Sequence, residues 1–296
     1  MFSRILVPLD GSELAEQVLP YVASLAKALQ ADVSLITAMI PVRPLPESFM
    51  EQASVNLHQL TTEYLAARAD TLRERGLIVD WSVEDGYPSE VIATAALKQP
   101  NTLIAISTHG RSGLTRWTLG SVTDRVVHST KAPLLIIRSR DEDQPAEATL
   151  TTVIVPLDGS GLGEQALAPA AALAKALGLN ITLVRATPSA ADYYKFATYP
   201  VPVSEDYSKE VDEDAGAYLA GVKETLQKEG SVSVETALEH GSPAAVIVDL
   251  AKNTPDSLVV MTTHGRSGMG RWILGSVTDR VVRHSGDPVL VIHGEE

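Results

Sequence analysis

The sequence predicts two tandem α/β domains, each a doubly wound, five-stranded parallel sheet with helices on both faces. Two observations carry this. The 296-residue chain repeats itself once, and within each repeat short apolar runs alternate with segments of helical periodicity. "ILVPLDGSELAEQVLPYVASLAKALQADVSLITA" (5–38) matches "VIVPLDGSGLGEQALAPAAALAKALGLNITLVRA" (153–186), and "STHGRSGLTRWTLGSVTDR" (107–125) matches "TTHGRSGMGRWILGSVTDR" (262–280). Asp10 and Asp158 stand 148 positions apart and His109 and His264 155, so the second repeat carries seven extra residues between these anchors. They fall in the Pro/Tyr-rich stretch 187–208. A period this long means complete domains, 1–140 and 150–296. The acidic run "SRDEDQPAEAT" (139–149), without apolar periodicity, reads as the linker.

The elements of the first repeat follow in order. "RILVPL" (4–9) is an apolar run suited to a strand buried on both faces. Leu14, Val18, Val22, Leu25 and Leu29 are at helical spacing, so 12–29 is expected to be one helix with Ser12 as N-cap, unless Pro20 marks an element boundary instead of a kink. "DVSLITAMI" (32–40) is the second strand, and a long helix over 49–75 stops at Gly76. "IVDWSVED" (78–85) is the third strand, and Pro88 opens the next helix as its first residue. "NTLIAIST" (101–108) is strand four, "SVTDRVVHS" (121–129) starts the last helix, and "PLLIIR" (133–138) is strand five.

Composition narrows the function. Lys plus Arg is 24 against 37 Asp plus Glu, a formal charge of −13. A field of that sign opposes broad binding to nucleic acid or to an anionic membrane, while leaving room for a local anion pocket. The chain has no cysteine, which excludes disulfides, Cys-ligated zinc, iron–sulfur clusters and thiol catalysis. The apolar run in "MFSRILVPLD" is too short for a signal peptide and no stretch reaches membrane-spanning length, so a soluble, cytoplasmic protein is expected.

Parallel sheets bind ligands beyond the carboxyl ends of their strands, where strand order reverses. The loop after strand four carries Gly110 and Gly113, which can leave backbone N–H groups uncovered, and Gly120-Ser121 at the start of the next helix. Arg111 and Arg116 add donors. The second repeat has Gly265, Gly268, Gly275, Ser276, Arg266 and Arg271. Together these suit a phosphate chain. They equally suit a ligand-free turn in which "SVTD" (121–124 and 276–279) forms a capping box. Asp10 and Asp158 end strand one, either as ligand acceptors or as Asx-type turns with the following Gly-Ser. His109 and His264 lack a nucleophile or metal-ligand partner at suitable spacing, and His240 is expected to be an ordinary surface or packing residue.

"ILVPLDGS", "THGRSG" followed six residues later by "GSVTDRVV", and the closing "APLLII" or "DPVLVI" resemble the universal stress protein family in tandem form. The resemblance spans both repeats. It implies a strand order of 3-2-1-4-5 and an ATP signature of Gly, two residues, Gly, nine residues, Gly-Ser. Gly110 and Gly120-Ser121 match it, as do Gly265 and Gly275-Ser276, while Ser107 and Thr262 stand at the first glycine. Those two side chains would either crowd the nucleotide or give it a hydroxyl contact. By the same likeness Asp10 and Asp158 would lie near the adenosine and Ala38 and Ala186 near the base. Gly120, Ser121, Val122 and Thr123, like Gly275, Ser276, Val277 and Thr278, would line the phosphates and ribose. The implied cofactor is ATP or another adenine nucleotide, with Mg²⁺ accompanying it. The implied partnership is internal pairing of the domains through their fifth strands (133–137 and 288–292), with a homodimer as a further step. The leading function is then regulatory nucleotide binding in a stress response; a slow ATPase and a nucleotide-free interaction module are the alternatives.

Overall fold

β1 (Arg4–Pro8) shows why an apolar pentad becomes a central strand: its first four side chains are all buried, with no inside–outside alternation. The buried set includes Arg4, whose guanidinium donates to Thr102 Oγ1 at 3.0 Å and to the Ala95 carbonyl. The computed structural model describes residues 1–40, 47–108, 119–138, 147–188, 205–230, 232–263 and 274–294. It divides into two compact units, Met1–Ala148 and Thr149–Glu296. Most of the expected linker (139–146), much of 187–208 and the two glycine loops lie outside the described residues.

In the first unit β1 pairs in parallel with β2 (Asp32–Met39) and with β4 (Thr102–Thr108). β2 pairs with β3 (Val79–Asp85) and β4 with β5 (Leu134–Arg138), also in parallel. The order is therefore β3-β2-β1-β4-β5, and strand order reverses between β1 and β4. The second unit repeats it with β6 (Thr152–Pro156), β7 (Asn180–Thr187), β8 (Val234–His240), β9 (Ser257–Thr262) and β10 (Val289–Ile292). Its parallel pairings give β8-β7-β6-β9-β10.

The helix expected over 12–29 is in fact two: α1 (Glu13–Glu16), capped by Ser12, and α2 (Leu19–Leu29). Pro20 sits in the first turn of α2, where its missing N–H is no loss, so it begins a helix instead of kinking one. The second unit has the same break between α6 (Gly161–Glu164) and α7 (Leu167–Leu177), with Pro169 again in the first turn. α3 (Glu47–Glu74) runs to just short of Gly76, whose φ of +84° suits glycine, and α4 (Pro88–Leu97) opens on its proline. α5 (Ser121–Ser129) closes the first unit's helices. α8 (Glu205–Glu229), α9 (Pro243–Asn253) and α10 (Ser276–His284) are the second unit's counterparts of α3, α4 and α5.

Candidate functional site

In the second unit strand order reverses between β6 and β9, and the residues just past these strands build the site. Asp158 follows β6 on a turn in which Gly159 takes φ +81°. Its Oδ1 accepts from the Ser160 amide at 3.0 Å and the Ser160 hydroxyl at 2.6 Å. Ser160 Oγ in turn accepts from the Gly163 amide at 3.1 Å, capping α6. Asp10, Ser12 and Ala15 make the same chain at 3.0, 2.6 and 3.1 Å. The Asx-type turn is therefore real in both units. A Cβ on Gly163 would stand 2.8 Å from Asp158 Oδ1, closer than real contacts allow. The first repeat carries Ala15 at this position, and there Asp10 is exposed where Asp158 is half-buried.

The capping box expected at "SVTD" does not form. The N-cap of α10 is Gly275, one residue earlier, with φ −56° and ψ 151°, and Gly120 does the same for α5. Ser121 and Ser276 are thus first helical residues, and Asp279 instead bonds Arg283 at 2.8 Å. A glycine cap offers no side-chain oxygen to the amides of the first turn, which leaves the helix end able to receive an anion. The end is held in place from beneath. The Gly275 amide donates to the Thr263 carbonyl at 2.8 Å, and the buried Thr278 hydroxyl donates to the Thr262 carbonyl at 2.9 Å.

A cleft of about 420 Å³ collects these parts. Of the residues singled out from sequence, Asp158, Ala186, Thr262, Gly275, Ser276, Val277 and Thr278 all line it. In the first unit Asp10 follows β1, Ala38 and Ser107 lie near the ends of β2 and β4, and Gly120, Ser121, Val122 and Thr123 open α5. His109, Gly110, Arg111 and Gly113, with His264, Gly265, Arg266 and Gly268, lie outside the described residues.

Other residues at the cleft carry only a weak local signal, the "GSGLG" loop (159–163) that holds Gly163, or no local signal. Gly163, Arg185 and Thr187 line it, as do Pro243 and Ile247 at the start of α9. Thr187, buried, sits 2.9 Å from both Asp212 Oδ1 and His240 Nδ1, so His240, exposed as expected of a surface histidine, also belongs to a polar cluster at the end of β7. Arg185 places its guanidinium over the Tyr218 ring, 4.9 Å from the centroid, and the Tyr218 hydroxyl donates to Glu164 Oε1 at 2.9 Å. Burial, then that bond to Glu164, pushes the Tyr218 phenol well above the ordinary tyrosine range; burial beside Glu16 does the same to Tyr64. For three of these residues a signal exists in the sequence, since the two repeats differ there: Ala15 against Gly163, Thr37 against Arg185, Met39 against Thr187.

Comparison with known proteins places this architecture. The sequence model of the Universal stress protein family matches residues 1–138 and again residues 149–293. A universal stress protein of Mycolicibacterium smegmatis is 25% identical over 296 residues, covering 97% of this chain and 96% of that protein. A putative universal stress protein of Staphylococcus saprophyticus is 35% identical over 149 residues, which is 50% of this chain and 86% of its own length. In fold, the crystal structure of a universal stress protein from Archaeoglobus fulgidus is similar with a TM-score of 0.75, at 22% identity and 98% coverage of both chains. With its family match made twice in succession, the chain belongs to the universal stress protein family and carries two of its domains in tandem.

Proposed function

We propose that the cleft of the second domain binds an adenine nucleotide, ATP, and that the chain is a regulatory member of its family in the stress response, not a dedicated catalyst. The observation that supports this is the sharing of one cleft by the glycine-capped end of α10, by Asp158 and by Ala186. β9 and β7 flank β6 on either side. Two strand spacings separate their ends by about 10 Å. A small anion at α10 would leave the β7 end empty, whereas a nucleotide spans both. On this reading the amides of Ser276, Val277 and Thr278 meet phosphate, Asp158 meets the ribose, and Ala186 borders the base. Thr262 stands beside the phosphates; the family resemblance, not the described residues, assigns His264, Gly265, Arg266 and Gly268 to the same end.

The first domain carries the same set: Asp10, Ala38, Ser107, His109, Gly110, Arg111, Gly113 and Gly120 to Thr123. Among the described residues no group of three or more histidines and carboxylates could hold a metal. Mg²⁺ would accompany the nucleotide, with phosphate oxygens supplying ligands. The test is to denature the purified chain, identify released nucleotide by chromatography, and titrate the emptied protein with ATP by calorimetry. Up to two adenine nucleotides per chain are expected; neither released nucleotide nor binding heat would overturn the reading. Any ATP turnover should vanish when Gly120 and Gly275 are both replaced by bulky residues.

A further inference from the structure

Both domains place an arginine over a tyrosine of their long helix, but they spend its charge differently. In the first domain Arg68 lies over Tyr64, 5.6 Å from the ring centroid, and pairs with Glu16 at 3.3 Å. It comes from α3, and the strand position facing the site is Thr37, whose hydroxyl donates to the Leu9 carbonyl at 2.8 Å. In the second domain the arginine comes from the strand. Arg185 lies over Tyr218 at 4.9 Å, lines the cleft, and has no ion pair with a carboxylate among the described residues.

The support under Arg185 is firmly held. Tyr218 is fixed by its 2.9 Å bond to Glu164. Thr187, two residues along the same strand and so on the same face, is tied to Asp212 and His240. A guanidinium is planar, and when one face covers a tyrosine ring the other can receive a second aromatic plane. Arg185 and Ala186 both line the cleft at the end of β7, about 10 Å from the helix end at β9, which is the wrong place for a phosphate contact and the right one for a base.

We propose that Arg185, supported by Tyr218, is the platform on which the base of a purine nucleotide stacks, and that its absence from the first domain makes the two sites unequal. This rests on the nucleotide reading above and goes beyond it by assigning a base-recognising residue to one site alone. A base stacked on such a plane gains affinity that a phosphate chain by itself does not.

The test titrates the full chain with ATP and, separately, with inorganic tripolyphosphate. The wild-type protein should show two unequal classes of ATP site. Arg185→Thr, which installs the first domain's residue, should weaken the tighter class roughly tenfold and leave tripolyphosphate binding unchanged. Arg185→Lys keeps the charge and stem and guards against a folding defect; lacking the plane, it should behave like Arg185→Thr. Unchanged ATP affinity in Arg185→Thr would overturn the inference. So would an equal loss for both ligands, or wild-type ATP affinity in Arg185→Lys. If the wild-type protein binds tripolyphosphate as tightly as ATP, the base makes no contact and the inference fails while the anion site stands. If it binds neither, the nucleotide reading itself fails and this inference with it.

Discussion

Thr278 on α10 donates its hydroxyl proton to the main-chain carbonyl of Thr262 at 2.9 Å and reaches that of Thr263 at 3.3 Å, with its side chain buried. One hydroxyl thereby ties the first turn of a helix to the end of the strand before it. Thr278→Val keeps the shape and deletes the donor, so the Thr262 carbonyl loses this bond while that of Thr263 keeps the Gly275 amide. It should cost about 1–3 kcal/mol, read as a lower denaturant midpoint for the second domain, while Thr278→Ser should recover most of the loss.

Gly275 caps α10 with φ −56° and ψ 151°, a conformation open to any L-residue. Gly275→Asp supplies the oxygen that the first-turn amides lack, so stability should hold or rise by a few tenths of a kcal/mol. The same carboxylate occupies the anion position with the same sign of charge. ATP binding at the second-domain site should therefore be lost with no loss of melting temperature, a combination that thermal melts and calorimetry together would read.

Gln30 ends α2 in the left-handed conformation at φ 53°, where the second repeat has Gly178 at φ 70°. A side chain there is strained, and glycine is not. Gln30→Gly should raise stability by about 0.5–1 kcal/mol, and Gly178→Gln should lower it by a similar amount. Paired urea titrations would show the opposite signs.

Tyr64 and Tyr218 are both held neutral by burial beside a glutamate, with their ionisation pushed upward. A phenol harder to ionise in the folded state stabilises the fold fully below the unfolded value near 10, and that contribution fades as pH rises above it. Alkaline unfolding of the Tyr64→Phe, Tyr218→Phe double variant should accordingly be less steep than that of the wild-type protein. Equal steepness would show that these phenols do not ionise on unfolding.

Much of the site was legible because it is local in sequence. Asp158-Gly-Ser and Gly275-Ser-Val-Thr each form a turn and a helix start within a few residues, and the chemistry of such turns depends on neighbours along the chain. The cap itself was misplaced by one residue: Ser276 competes with Gly275 for that position, and Thr278 settles it by bonding the end of β9. Pro20 leaves two readings open in the sequence for a related reason, since a proline inside an apolar pattern marks a kink or a new first turn with equal force, and the structure takes the second.

By itself the sequence determined the repeat, the alternation of strands and helices, and the family, because each is written in periodicity or in contiguous motifs. Only the tertiary structure decided that Thr187 meets Asp212 and His240, and that Arg185 rests on Tyr218 within the cleft. Those groups come from a strand, a long helix and a second strand, separated by tens of residues. Parallel pairing of β6, β7 and β8 and the docking of α8 bring them together, and no local pattern records contacts made by packing across a sheet.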